Sequence, residues 1–276
     1  MTLLDGRPLA AEIREQVTAE VADGDAPVLA AVIATDDPAT QWYLGAIAKA
    51  TAAVGIELRE ERLGSSDGDG VLQRLDVLSA DEGVDAILCL TPLPEGLSLS
   101  EAGRHIAPAK DVDGANPTSL GLLAAGLPAF APATAQAVIE LLRHSGTRLS
   151  GAETVVVGRS TVVGKPVALL LLAENATVTV CHTRTRDLAA ETRRAEILVA
   201  AAGRPHLLAA EHVKAGAIVI DVGTNEADDG SMVGDVDTEA VESIAAAITP
   251  VPGGVGPVTT ALLLRNVVKA ARSNRP

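Results

Sequence analysis

Two hydrophobic rhythms run along this chain. Residues 7–22 (RPLAAEIREQVTAEVA) repeat apolar groups at helical spacing. Residues 28–35 (VLAAVIAT) form a nearly continuous apolar run closed by the turn signal DDP, the pattern of a short strand covered on both faces. A helix is predicted over 41–55 with Gly55 as its C-terminal cap, then a strand over 56–63, a helix over 70–81 and a buried strand over 84–90. Such a β-α-β-α-β series implies parallel pairing through helical crossovers. A Pro/Gly-rich break (TPLPEGLSLSE) and a polar stretch (IAPAKDVDGANPTS) follow.

The second half repeats the alternation more plainly. Residues 134–146 read as a Gly-capped helix, 153–160 (ETVVVGRS) as a strand running into a turn, and 165–176 as a helix. Further strands are predicted at 177–183, 196–203, 217–223 and 245–251, the pattern of a doubly wound dinucleotide-type sheet. TTALLLRNVVKAAR (259–272) closes the chain as an amphipathic helix. No internal repeat or low-complexity tract is present. The expected fold class is therefore α/β: a parallel-sheet domain over 1–130 that takes back the last helix (258–276), and a Rossmann-type domain over 131–257.

Composition narrows the function classes. With 276 residues and 47% hydrophobic content the chain can build a large core. Its 22 basic against 36 acidic residues leave a formal charge of −14, and no basic face emerges for nucleic-acid phosphates. Trp42, Tyr43 and Phe130 are the only aromatic residues, too few for base-stacking platforms. No apolar run reaches the length of a membrane span, and the first residues carry charges where a signal peptide needs its apolar stretch. Cys89 and Cys181 lack metal or redox spacing, so a reduced cytoplasmic enzyme without a metal is expected. His182 adjoins Cys181 but has no third ligand at metal spacing, and His105, His144, His206 and His212 are scattered.

The segment GRSTVVGKP (158–166) sits between a β-branched strand and a helix. A turn placed there aims backbone N–H groups and the positive helix end at a phosphate, with Gly158 and Gly164 permitting close approach and Ser160 and Val163 inside the loop. Ser160 stands where the GxGxxG fingerprint has its second glycine, so a Gly-rich turn without a ligand is the competing reading. No His/Asp constellation accompanies Ser160, which suits phosphate bonding better than nucleophilic attack. The next strand ends in CHTRT (181–185), where a dinucleotide fold holds the adenosine ribose. Thr183 and Arg184 there, with Arg159, suit a 2′-phosphate better than an acidic residue would, favouring NADP over NAD. The alternative is that both arginines are solvated surface groups.

Several segments together are similar to one family. DDPATQWYL (36–44), PLP (92–94), KDVDG (110–114), GRSTVVGKP (158–166), GDV (234–236) and TPVPGGVGPVT (249–259) occur in the order and near the spacing of the bifunctional methylenetetrahydrofolate dehydrogenase/cyclohydrolases, the FolD type. The resemblance implies a folate-binding catalytic domain, an NAD(P) domain, a cleft between them, and a homodimer formed through the cofactor domain. It implies that Tyr43 stacks on the folate, that Asp113 binds the pterin ring, and that Pro252, Gly253 and Gly254 lie in a loop closing over cofactor and substrate. His182 and Thr224 fall at expected cofactor positions. Without the resemblance, Tyr43 would read as a half-buried helix residue, and Asp111 and Asp113 as loop residues bonding their own backbone. Asp235 could approach the cofactor or begin a turn.

The sequence also departs from the family. Four residues after the tyrosine the family carries a lysine; here Ile47 stands there. Its usual glutamine partner, two residues before PLP, is Leu90, and the family's PCTP segment reads PATA, with Ala133 for cysteine. Lys49 lies about 200° around the helix from Ile47 and cannot take over. Losing lysine and glutamine together is coherent, because a buried ammonium without its partner is costly. The expectation is an NADP-dependent dehydrogenase acting on a tetrahydrofolate derivative, with cyclohydrolase activity weak or absent. The alternatives are a fully bifunctional enzyme, a paralogue repurposed for another substrate, and a folate- or nucleotide-responsive binder without turnover.

Overall fold

The computed structural model describes all residues except 228–229 and 275–276. In chain order its first half holds β1 (Thr2–Leu3), α1 (Arg7–Ala22), β2 (Val28–Ile33), α2 (Pro38–Val54), β3 (Glu57–Arg62), α3 (Gly68–Ala80), β4 (Ala86–Cys89), α4 (Leu99–Gly103) and α5 (Pro117–Ala124). The second half holds α6 (Ala133–His144), β5 (Glu153–Val157), α7 (Gly164–Ala173), β6 (Thr177–Cys181), α8 (Leu188–Thr192), β7 (Ile197–Ala200) and β8 (Ile218–Asp221). It ends with β9 (Asn225–Glu226), β10 (Met232–Val233), α9 (Thr238–Val241), β11 (Ala247–Ile248) and α10 (Val255–Asn274). The fold class is α/β with two units, one of Ala11–Ala133 and Thr260–Pro276, the other of Met1–Ala10 and Thr134–Thr259.

In the first unit β2 is central, pairing in parallel with β3 on one side and β4 on the other. Its six residues are all buried, as a continuous apolar run between two covered faces requires. The edge strand β3 is instead ELREER and largely solvated, its charges discouraging further strand addition. Helix α2 is capped at both ends. Asp37 accepts from Thr40 N at 2.9 Å, and Gly55, at φ +81°, takes the left-handed turn that ends the helix. The segments after β4 are not simply loops: α4 begins at the end of the Pro/Gly-rich break and α5 at the end of the polar stretch, started by Ser98 and Asn116 as side-chain caps.

The second unit is a six-stranded, all-parallel sheet in the order β1-β11-β8-β7-β5-β6. Strand order reverses beside β5, so the loop after β5 leaves the sheet at the switch point where open α/β sheets bind ligands. Three expectations need correction here. Residues 1–10 do not join the unit made from the rest of 1–130; Thr2–Leu3 adds a parallel edge strand against Ala247–Ile248. Two residues of strand carry too little periodicity to be seen in sequence. The strand expected over 245–251 shrinks to 247–248, and the final helix starts at Val255, inside the predicted Pro-Gly loop.

Candidate functional site

In the first unit the helix α2 brings Tyr43 and Ile47 to one side, a turn apart. Two bonds pin the start of this helix. Thr40 Oγ1 donates to Thr91 O at 2.7 Å, and Gln41 Nε2 donates to Thr35 O at 2.8 Å, tying α2 to the ends of β4 and β2. Tyr43 is partly buried, Ile47 is 0% exposed and Leu90 is 5% exposed. Lys49 is exposed, as its angular offset from Ile47 requires. Ala133, where the resemblance expects cysteine, is buried as well. An aliphatic wall therefore occupies the positions where the resemblance expects an ammonium and an amide.

The segment KDVDG hangs between β4 and α5 and its charges have separate tasks. Lys110 is buried, its Nζ donating to Leu78 O at 3.2 Å and Asp81 O at 2.7 Å, which closes the end of α3. Burial holds its ammonium below the usual lysine range. Asp111 accepts from Ala115 N (2.8 Å), Asn116 N (2.9 Å) and Ser119 Oγ (2.7 Å), so it organises its own loop. Asn266 on α10 donates to Val112 O at 2.9 Å. Asp113 is different. Among the described residues only Ala133 N donates to it, onto Oδ1 at 2.9 Å, and no protein hydrogen bond reaches its second oxygen. Burial, with the Asp111 charge adding, pushes this carboxyl up to about 6. The Tyr43 hydroxyl is raised by burial and then by the Asp113 charge, which places the two side chains in one electrostatic neighbourhood. Asp111 thus binds the backbone of its own loop, whereas Asp113 accepts from an amide twenty residues farther along the chain.

In the second unit the turn after β5 leads from Gly158 into α7. Gly158 has φ +133°, and a Cβ there would overlap Ala201 O; only glycine fits. Gly158 N donates to Cys181 O at 2.9 Å, holding the turn against β6. Ser160 Oγ accepts from Val163 N (3.1 Å) and Gly164 N (3.3 Å), so it binds the amides that lead into α7 and keeps only its own proton to donate. The ten-residue helix α7 then begins at a buried Gly164. At the end of β6 a tight turn forms: His182 N donates to Thr185 Oγ1 (2.9 Å), and Arg184 N donates to His182 Nδ1 (3.1 Å). That second bond makes Nδ1 the acceptor and leaves the proton on Nε2. Arg159, Thr183 and Arg184 are exposed.

Thr224 is exposed on the loop after β8. The Pro-Gly loop is built onto the N-terminal segment: Gly6 N donates to Gly253 O at 2.9 Å, and a Cβ on Gly6 would overlap Gly254 O. Gly254 N donates back to Pro250 O at 2.8 Å, and Pro252 stays exposed. Asp235, left open in the sequence between cofactor and turn, is fully buried and binds backbone amides. Its neighbours Asp221 and Asn225 carried no sequence signal beyond lying near the GDV segment. Among the described residues no group of three metal-ligating side chains exists and no helix is long and apolar enough to cross a membrane.

Comparison with known proteins covers both units. The family profile described as tetrahydrofolate dehydrogenase/cyclohydrolase, catalytic domain, matches residues 4–113, and that of the NAD(P)-binding domain matches residues 132–275. The bifunctional protein FolD of Nocardia farcinica is 55% identical over 99% of this chain and 98% of its own. The crystal structure of the bifunctional FolD of Campylobacter jejuni aligns with a TM-score of 0.96 at 40% identity, covering 100% of both chains. A Trypanosoma brucei methylenetetrahydrofolate dehydrogenase-cyclohydrolase, solved with NADP and an inhibitor, aligns with a TM-score of 0.93 at 38% identity over 100% of this chain and 99% of that one.

Proposed function

The chain belongs to the tetrahydrofolate dehydrogenase/cyclohydrolase family, and from that premise we propose that it is an NADP-dependent 5,10-methylenetetrahydrofolate dehydrogenase whose cyclohydrolase activity is weak or absent. One observation carries the reading. Ile47 and Leu90, fully or almost fully buried, stand where the resemblance expects lysine and glutamine, while Asp113 and the cradle at Gly158 keep their ligand-ready geometry.

The two reactions need different things from the protein. In the oxidation a C–H bond of the one-carbon unit breaks and its electron pair leaves as hydride, turning methylene- into methenyltetrahydrofolate. The substrate's own nitrogens supply the electrons that stabilise the cation, so the protein chiefly has to bind and orient. NADP⁺, when bound, accepts that hydride. Asp113, with one oxygen uncommitted, suits the paired N–H donors of a pterin, and Tyr43 beside it offers an aromatic face. The turn between Gly158 and α7, with Arg159 and Arg184, suits the phosphates, the 2′-phosphate included. Glycine at 158 leaves the room that such an approach needs. Hydrolysis of the methenyl cation instead requires a water to lose a proton as it attacks, and a positioned ionisable group accelerates that step. An isoleucine and a leucine offer none.

The family's homodimer is our expectation for this chain too, formed through the second unit, whose terminal strand β6 exposes Val180. A cytoplasmic setting fits its two buried, unpaired thiols.

Two assays of the purified protein test the proposal. Methylenetetrahydrofolate with NADP⁺ should yield NADPH and the methenyl compound, which should then accumulate. Methenyl hydrolysis well above the spontaneous rate would overturn the reading of Ile47 and Leu90. Tight binding of both ligands without NADPH formation would overturn the dehydrogenase assignment.

A further inference from the structure

The most heavily bonded side chain of the second unit is one that the reaction itself does not use. Asp235 is 0% exposed. Its Oδ2 accepts from Ala202 N (2.6 Å) and Gly203 N (3.0 Å), and its Oδ1 from Arg204 N (2.8 Å) and Asn225 Nδ2 (2.9 Å). Both oxygens are thus saturated, and none is left for a ligand. Each group it holds lies just beyond the C-terminal edge of the parallel sheet: 202–204 in the loop after β7, and Asn225 at the start of β9, where the chain leaves β8. The first loop in turn shapes the phosphate turn, because Ala201 O fills the place that a Cβ of Gly158 would need. The second carries Thr224 next to the Asn225 amide that Asp235 grips.

A second carboxylate anchors the clamp itself. Asp221, 1% exposed at the end of β8, accepts from Gly223 N (2.9 Å), Asp235 N (3.0 Å) and Val236 N (2.9 Å). Its own N donates to Thr249 Oγ1 at 2.7 Å. Two buried carboxylates within one small segment are expensive to desolvate, and they are accepted here only because seven hydrogen bonds reach them. A hydrophobic core alone would need neither.

We propose that Asp235 is a positioning residue for the dinucleotide: it touches no ligand, but it fixes the loops after β7 and β8, and through Ala201 the turn after β5, in the arrangement that receives the cofactor. The inference rests on the cofactor reading given above. Organised loops reduce the ordering cost of binding, so loosening them weakens cofactor binding selectively. Asp235→Asn is the direct test. It turns one oxygen into an N–H donor facing two N–H donors, releasing one pair of bonds while conserving volume.

The measurement is steady-state kinetics of the whole enzyme with varied NADP⁺, together with NADP⁺ titration calorimetry. We expect Asp235→Asn to raise the KM and Kd for NADP⁺ at least tenfold, with kcat at saturating NADP⁺ and the KM for methylenetetrahydrofolate within about twofold of wild type. Val219→Ala, a core truncation in β8, serves as the stability control: it should lower the melting temperature and leave the KM for NADP⁺ unchanged. Asn225→Ala removes only the Nδ2 link and covers the case in which Asp235→Asn does not fold; it should raise the KM for NADP⁺ about threefold. Unchanged NADP⁺ affinity in either folded variant, or an equal rise in Val219→Ala, would overturn the proposal. Failure of the wild-type protein to bind NADP⁺ would instead overturn the cofactor reading, so the two failures are distinguishable.

Discussion

Replacing Asp113 by asparagine should make the protein more stable and less able to bind folate, and the stability gain should depend on pH. The carboxyl titrates at about 6 in the fold against 3.8 when unperturbed, because burial and the Asp111 charge oppose its ionisation. The folded state therefore holds this proton to higher pH than the unfolded chain does. The penalty for carrying the ionised group is absent below 3.8 and complete once the pH has passed about 6. The rise from 3.8 to about 6 corresponds to about 3 kcal/mol at pH 8, falling to about half of that at pH 5 and almost nothing at pH 3.5. The amide keeps an oxygen for Ala133 N, at 2.9 Å in the wild type, but its own burial returns about 1 kcal/mol. Urea unfolding of both proteins at pH 8 and pH 5 measures the difference. We expect Asp113→Asn to be about 1–2 kcal/mol more stable at pH 8, with most of that gain gone at pH 5. The same variant should lose on the order of tenfold to a hundredfold in folate affinity, since a neutral amide cannot accept two pterin donors. A gain that is equal at both pH values, or a variant less stable at pH 8, would refute the account of this carboxyl as a strained, ligand-ready group.

Four further outcomes follow from the same geometry. Ile47→Lys with Leu90→Gln should raise methenyl hydrolysis measurably above wild type. Ile47→Lys alone should destabilise the protein by at least 3 kcal/mol in thermal or urea unfolding, an order of magnitude expected for an unpaired charge in a fully buried site. Gly158→Ala should abolish NADP⁺ binding in calorimetry, because its φ of +133° and the neighbouring Ala201 O leave no room for a methyl group. Arg159→Ala with Arg184→Ala should lower the preference for NADP⁺ over NAD⁺ in kcat/KM by at least tenfold, leaving the NAD⁺ value nearly unchanged; an unaltered ratio would show that neither guanidinium meets the 2′-phosphate.

Much of this protein was legible in one dimension because the information is local. A buried parallel strand needs an unbroken apolar run, so VLAAVI announces β2 and the VVV of ETVVV most of β5. Helix ends need caps, so Gly55 marks where α2 stops. The motif residues Tyr43, Asp113 and Gly158, and the departures at Ile47 and Leu90, were visible as letters at fixed spacing. Tertiary structure decided what letters cannot express, which is who partners whom across distance. It moved residues 1–10 into the second unit, because two residues of edge strand gain their bonds from β11, more than two hundred positions away. It bound Ser160 to the amides of its own turn, and it divided KDVDG into a helix-closing lysine, a loop-organising aspartate and one carboxylate with an oxygen to spare. It also gave Asp235 four partners from loops that are adjacent only where a parallel sheet gathers its strand ends. Backbone propensity and hydrophobic period act within a few residues, whereas a buried polar group is satisfied by whatever the folded chain brings to it.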